Sequence, residues 1–257
     1  EAALDWDTMT RALAAQPPWW EPGTAHGYHA ITFGWLVGEV VRRASGKSLG
    51  TYFRQELAEP LGLDFWIGLP ESVEPRVARL IPPPLASPDD PFGRALLDRE
   101  SLTRRAFLNP PTLFTTKGPE FARAIRAAEI PAANGMATAR ALAGLYAPLA
   151  SPAPGGMFDR AAVTAMSTVE SEGPDRILVY PTRFSSGFMK TIDNRPRDSA
   201  ILGPNPEAFG HVGAGGSIGM ADPAAGVAIG YVMNRMGPGI LVNDRGQSLI
   251  DAVYDCF

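Results

Sequence analysis

Apolar residues recur along this chain with two different periods. Over 33–44, Phe33, Leu36, Val37, Val40, Val41 and Ala44 fall at i, i+3, i+4, i+7, i+8 and i+11, which predicts an amphipathic helix anchored to the core by that stripe. Gly46 ends this helix and Ser48 caps the next, whose inner face is Leu49, Tyr52, Phe53 and Leu57 and which stops at Pro60. Further helices are predicted over 4–15, 121–128, 138–149 (with Leu142, Leu145 and Tyr146 inward), 160–166 and 244–257. From 61 to 119 the pattern is broken by Pro82-Pro83-Pro84, Pro88, Pro91, Pro110-Pro111 and Pro119. That leaves short helices near 94–100 and 102–107 within loops, either a cap over a site or an irregular surface insertion.

The second period belongs to the C-terminal part. A strand is expected over 183–190, followed by FGHVGAGGSIGMADPAAGVAIGYVMN at 209–234, which reads as a strand, a turn at Asp222-Pro223-Ala224-Ala225-Gly226 and a buried strand over 227–233. Gly210, Gly213, Gly215, Gly216 and Gly219 would weaken an ordinary strand, so a ligand or another backbone is expected to approach closely there. The expected organisation is a helical and cap region over 1–176 that carries a tyrosine loop, then strands and a closing helix over 177–257.

Composition narrows the classes. A chain of 257 residues, 45% hydrophobic, can bury a sizeable core, and a net charge of -4 without long like-charge runs gives no footprint for nucleic acid. One cysteine, Cys256, and three histidines, His26, His29 and His211, offer neither an internal disulfide nor a zinc set, so no metal and no cofactor are expected. No run of about 20 apolar residues predicts a membrane span. Without a signal-like segment, the expected location is cytoplasmic.

Two motifs in the glycine-rich stretch mislead. Gly213-Ala-Gly215-Gly-Ser-Ile-Gly219 has Ile218 where a dinucleotide loop needs its third glycine, and a turn rather than a helix follows. Gly215-Gly-Ser217-Ile-Gly219 fits a nucleophile elbow, but no histidine follows Ser217, which reads as a strand residue. A better candidate is Tyr28, placed after the rigid turn Trp19-Trp20-Glu21-Pro22-Gly23 and just ahead of the helix over 33–44.

The stretches PWWEPGTAHGYHAITFGWLVGEVVRRASGKSLG, EIPAANGMATARALAGLY and FGHVGAGGSIGMADP resemble the serine β-lactamase and penicillin-binding-protein superfamily. Within it they are similar to the class C-like branch containing the family VIII carboxylesterases. The resemblance implies an α/β (α+β) fold of the β-lactamase/transpeptidase type: an antiparallel sheet flanked by helices, plus a helical domain. It implies that Tyr28 and His211 are catalytic, Tyr28 as the loop tyrosine and His211 as the first residue of the H-x-G strand triplet. Gly213 closes that triplet, and Ala214 is the strand residue whose N–H completes an oxyanion hole. A serine becomes nucleophilic when a neighbouring base takes its proton. A lysine ammonium at roughly 4 Å in an effective dielectric of about 20 favours a phenolate by about 4 kcal/mol, roughly 3 pKa units, with desolvation opposing part of it.

The departures from the family pattern are specific. Ala30 stands where Y-x-N has its carboxamide, and His211 replaces the strand lysine, which tilts the expected substrate from lactams and peptides toward small-molecule esters. No serine stands three residues before a lysine: Ala44, Phe114 and Gly187 precede Lys47, Lys117 and Lys190, and Ser101 precedes Arg104, which stays protonated. The resemblance therefore implies a C-terminal portion that lacks the S-x-x-K segment and the N-terminal strands, and that needs its own N-terminal segment or a partner to cover an apolar edge at 227–233. The expected activity is a serine hydrolase acting on carboxylic esters through an acyl-enzyme. The alternatives are a β-lactamase or D-alanyl-D-alanine carboxypeptidase, and a non-catalytic binding homologue.

Overall fold

A computed structural model describes residues 2–109, 119–192 and 202–256. Its centre is a six-stranded antiparallel sheet in simple sequence order: β3 (Val169–Pro174), β4 (Pro181–Ser185), β5 (Met189–Lys190), β6 (Phe209–Val212), β7 (Ile218–Asp222) and β8 (Val227–Tyr231). A two-stranded ribbon, β1 (Phe65–Trp66) with β2 (Met136–Ala137), stands apart from it. Nine α-helices are described: α1 (Trp6–Ala15), α2 (Thr32–Ser45), α3 (Leu49–Phe53), α4 (Pro91–Leu97), α5 (Leu102–Phe107), α6 (Pro119–Ala127), α7 (Ala139–Ala150), α8 (Arg160–Ser167) and α9 (Asp244–Tyr254). None is long and apolar enough to cross a membrane. The loop expected at Pro110-Pro111 and the final residue of the closing helix, Phe257, lie outside the described residues.

The helix boundaries follow local chemistry. Asp5, Ser48, Asp90, Ser101, Thr138, Asp159 and Asn243 each accept a hydrogen bond from the third backbone N–H beyond them, so seven helices begin at a side-chain cap. The sheet separates two apolar layers. Tyr146, Leu149 and Val163 of α7 and α8 pack with Phe209 and Ala221 on one side. Ile250 of α9 and Phe92 of α4 pack with Val212, Ile218 and Met220 on the other.

The structure corrects four expectations. The stretch over 183–190 is two strands, β4 and β5, joined through Gly187 at φ +86, a left-handed geometry that a side chain resists. The expected strand over 209–221 is likewise two, β6 and β7. Between them Gly215 (φ +85) and Gly216 (φ +111) reverse the chain, with Gly216 N–H donating to Gly213 O at 2.9 Å. Ala214 is thus a turn residue rather than a strand residue, and Ser217 closes that turn by accepting from Gly213 N–H at 2.8 Å. The close approach expected at the glycines is made by the protein itself: Gly219 lies against the Tyr146 ring.

The fourth correction concerns α2. Its buried residues are Gly34, Trp35, Gly38 and Glu39, not the periodic stripe. Gly34 and Gly38 let Ala132 and the Trp6 ring come close, and Trp35 fills a core with Ala3, Ala30, Ile31 and Ile130. The stripe faces outward, with Phe33, Leu36, Val37 and Val40 exposed by 45%, 41%, 44% and 67%. Among the described residues the outer edge of β8, the last strand in the sheet order, pairs with no further strand.

Candidate active site

Tyr28 and His211, 183 residues apart, meet where the loop before α2 passes the end of β6. The Tyr28 hydroxyl lies 3.4 Å from His211 Nε2, with ring centroids 5.8 Å apart. His211 Nδ1 lies 2.7 Å from the Val212 carbonyl oxygen, which can only accept. The Nδ1 position therefore carries the proton, and in the neutral ring Nε2 presents its lone pair to the phenol as donor. Phe184 of β4 stacks on Tyr28 at 6.0 Å, and Phe107 of α5 lies at 6.3 Å, so the phenol stands in an aromatic slot.

Electrostatics follow from that slot. Burial, with the Asp175 charge adding to it, pushes the Tyr28 phenol up to about 12. Burial also holds His211 below the ordinary imidazole value, against the opposing hydrogen bond to Val212. Both effects favour a neutral phenol donating to a neutral imidazole at neutral pH. The two described lysines are engaged elsewhere: Lys47 Nζ pairs with Glu56 at 2.7 Å and buried Lys190 Nζ donates to Glu207 O at 3.0 Å.

The remaining expected site residues lie on the turn after β6. Asn243 Nδ2 and Gly237 N–H both donate to Gly215 O, at 3.2 and 2.8 Å, and so strap that turn to the start of α9. Ala214 is exposed at its tip, and its N–H has no acceptor among the described residues. Ala30 is buried in a core with Trp35 and Ile130, the core against which Tyr28 and Phe107 also pack. His29 is exposed and bonds Thr32 Oγ1 at 2.9 Å.

Sequence reasoning missed Phe107, Phe184, His26 and Asp175. The first two fall inside the segments expected over 102–107 and 183–190, with no local signal to single them out. Asp175 follows Gly173-Pro174, a turn signal, but nothing local marks it as a carboxylate that reaches Tyr28.

Comparison with known proteins places the fold. The family model described as Beta-lactamase matches residues 1–252. The chain is 37% identical over 254 residues to the Esterase/beta-lactamase LipL of Mycobacterium tuberculosis, covering 94% of this chain and 56% of that protein. It superposes on a penicillin-binding protein homologue from Caulobacter crescentus with a TM-score of 0.84 at 38% identity, and covers 65% of that chain. A family VIII carboxylesterase gives 0.80 at 38% identity, again with 65% covered. The antiparallel sheet flanked by helices agrees with that likeness. The chain thus spans little more than half to about two thirds of the length of these relatives.

Proposed function

We propose, from the premise that this chain belongs to the beta-lactamase family, that it forms most of a serine hydrolase acting on carboxylic esters, whose Ser-Lys pair lies upstream of the 257 residues. The observation that carries the reading is the Tyr28 hydroxyl poised on the Nε2 lone pair of His211, whose other nitrogen is held by Val212 O. The serine oxygen bonds to the ester carbonyl carbon as its proton passes to the Tyr28 oxygen and the phenol's own proton moves to His211 Nε2. The tetrahedral oxyanion accepts from the N–H of Ala214, which has no acceptor among the described residues. On collapse the carbon–alkoxide bond breaks, and the proton on His211 returns through Tyr28 to the alkoxide. Water then repeats the sequence on the acyl-enzyme. A lysine ammonium near the phenol would offset the burial that keeps Tyr28 protonated.

Three observations support the upstream segment: the shares of the relatives that the chain spans, the outward apolar stripe of α2 and the edge of β8, which no strand among the described residues pairs. Esters are favoured over lactams because a histidine replaces the strand lysine and Ala30 offers a methyl where the family pattern has a carboxamide. A β-lactamase remains the second reading, supported by the double name of the Mycobacterium tuberculosis relative.

The test compares hydrolysis of short-chain nitrophenyl esters and of a chromogenic cephalosporin, with fluorophosphonate labelling read by intact mass. Esters should be preferred, one adduct should fall on a serine upstream of Glu1, and Tyr28→Phe should lower kcat by about 10²–10⁴-fold. Full ester turnover in Tyr28→Phe would reject the reading, and a cephalosporin preference would favour the lactamase.

A further inference from the structure

We infer that Asp175 is a positioning residue for Tyr28: its buried carboxylate, in the turn after β3, ties the tyrosine loop to the sheet and sets where the phenol stands. The inference rests on the reading of Tyr28 as the proton-transfer group. The Asp175 side chain is wholly buried. Its Oδ1 accepts from three backbone N–H groups, Tyr28 at 3.1 Å, Ile177 at 2.8 Å and Leu178 at 2.8 Å. Its Oδ2 accepts from the Thr182 hydroxyl at 3.2 Å, and Thr182 in turn accepts from His26 Nε2 at 2.9 Å. The main chains also meet, with Arg176 N–H donating to His26 O at 3.1 Å. Gly27 fits between Trp20 and Ile177, closing the same junction from the other side. One carboxylate therefore collects donors from the tyrosine loop, its own turn and β4, across 147 residues of sequence.

A carboxylate suits this junction because both of its oxygens accept. An amide keeps Oδ1 for the three N–H groups but turns a donor toward Thr182, whose oxygen can accept it. Asp175→Asn thus preserves position while removing charge, and Asp175→Ala removes both. The titratable groups facing the phenol are Asp175 and His211; Phe107 and Phe184 form its apolar walls, and His26 borders Asp175. A negative charge at Asp175 opposes formation of the phenolate, so its removal moves any Tyr28-linked limb of the rate profile to lower pH, whether Tyr28 acts as acid or base.

The experiment measures kcat, KM and their pH profiles on the intact protein for wild type, Asp175→Asn, Asp175→Ala and Tyr28→Phe, with thermal melts of each. The expected result is that Asp175→Asn retains kcat within about fivefold with the limb shifted to lower pH, while Asp175→Ala loses kcat by about 10–100-fold with little change in KM. If Asp175→Ala fails to fold, the limb in Asp175→Asn decides. Wild-type kcat in Asp175→Ala, or an unmoved limb in Asp175→Asn, overturns the inference while an inactive Tyr28→Phe leaves the proposed function standing. An active Tyr28→Phe removes the proposed function and this inference with it.

Discussion

The outward face of α2 offers a quantitative test of whether the catalytic fold extends beyond these residues. The exposed fractions of Phe33, Leu36, Val37 and Val40 together equal about two whole apolar side chains. At about 2 kcal/mol for each fully buried side chain, covering the stripe is worth about 4 kcal/mol to the intact protein. Val40, with 67% of its surface in water, is the most sensitive reporter. Val40→Lys on a solvent-facing helix changes stability by no more than about 0.5 kcal/mol. Beneath a packed segment the same change forfeits about 1 kcal/mol of burial and strands a charge, for a total of about 3 kcal/mol or more. Urea unfolding of the intact protein and of its Val40→Lys and Leu36→Lys variants, monitored by tryptophan fluorescence, gives the difference directly. Losses of about 3 kcal/mol are expected at both positions. Midpoints within about 0.5 kcal/mol of wild type would refute the coverage, and losses that vary with protein concentration would assign the face to a second copy instead.

Two further predictions concern buried polar groups. Asp222, fully buried at the end of β7, accepts from Tyr254 Oη at 2.6 Å, Asn205 Nδ2 at 2.7 Å and the N–H groups of Ala224 and Ala225. Asp222→Ala strands these donors and should cost about 3–5 kcal/mol in urea unfolding, with Asp222→Asn recovering most of it and turnover per folded molecule unchanged; a loss below about 1 kcal/mol would contradict the network's role. For His211, burial lowers the imidazole pKa, so the neutral ring persists below the ordinary value of 6.5. The acid limb of kcat/KM should therefore lie below that value and disappear in His211→Asn. The sign for stability is the same: the unfolded histidine takes up its proton first as pH falls, so stability present above the ordinary value is lost on acidification.

Much of the local structure was legible in the sequence because it depends on neighbours in the chain. Ser48 caps α3 at the expected residue, the helices expected over 102–107 and 138–149 are α5 and α7, and the apolar run after Gly226 became β8. The resemblance borne by the motifs agrees with the family match and with the antiparallel sheet between helices. β3 escaped notice because its exposed side carries Glu170 and Glu172, so hydrophobic patterning has little to detect.

What the sequence by itself determined was most of the helices, the cap at Ser48, the turn over 222–226, and Tyr28 and His211 as the residues to which the resemblance assigns chemistry. Only the tertiary structure decided which face of α2 turns inward. Periodicity measures amphipathicity, not the identity of the partner, and two glycines beside Trp35 give the closer packing. Only the tertiary structure broke the glycine-rich strand at the turn over 213–217, where the Ala214 N–H has no acceptor among the described residues. It alone also brought Asp175 beneath Tyr28. That contact spans 147 residues, and its strength comes from burial, a quantity that no local window of sequence contains.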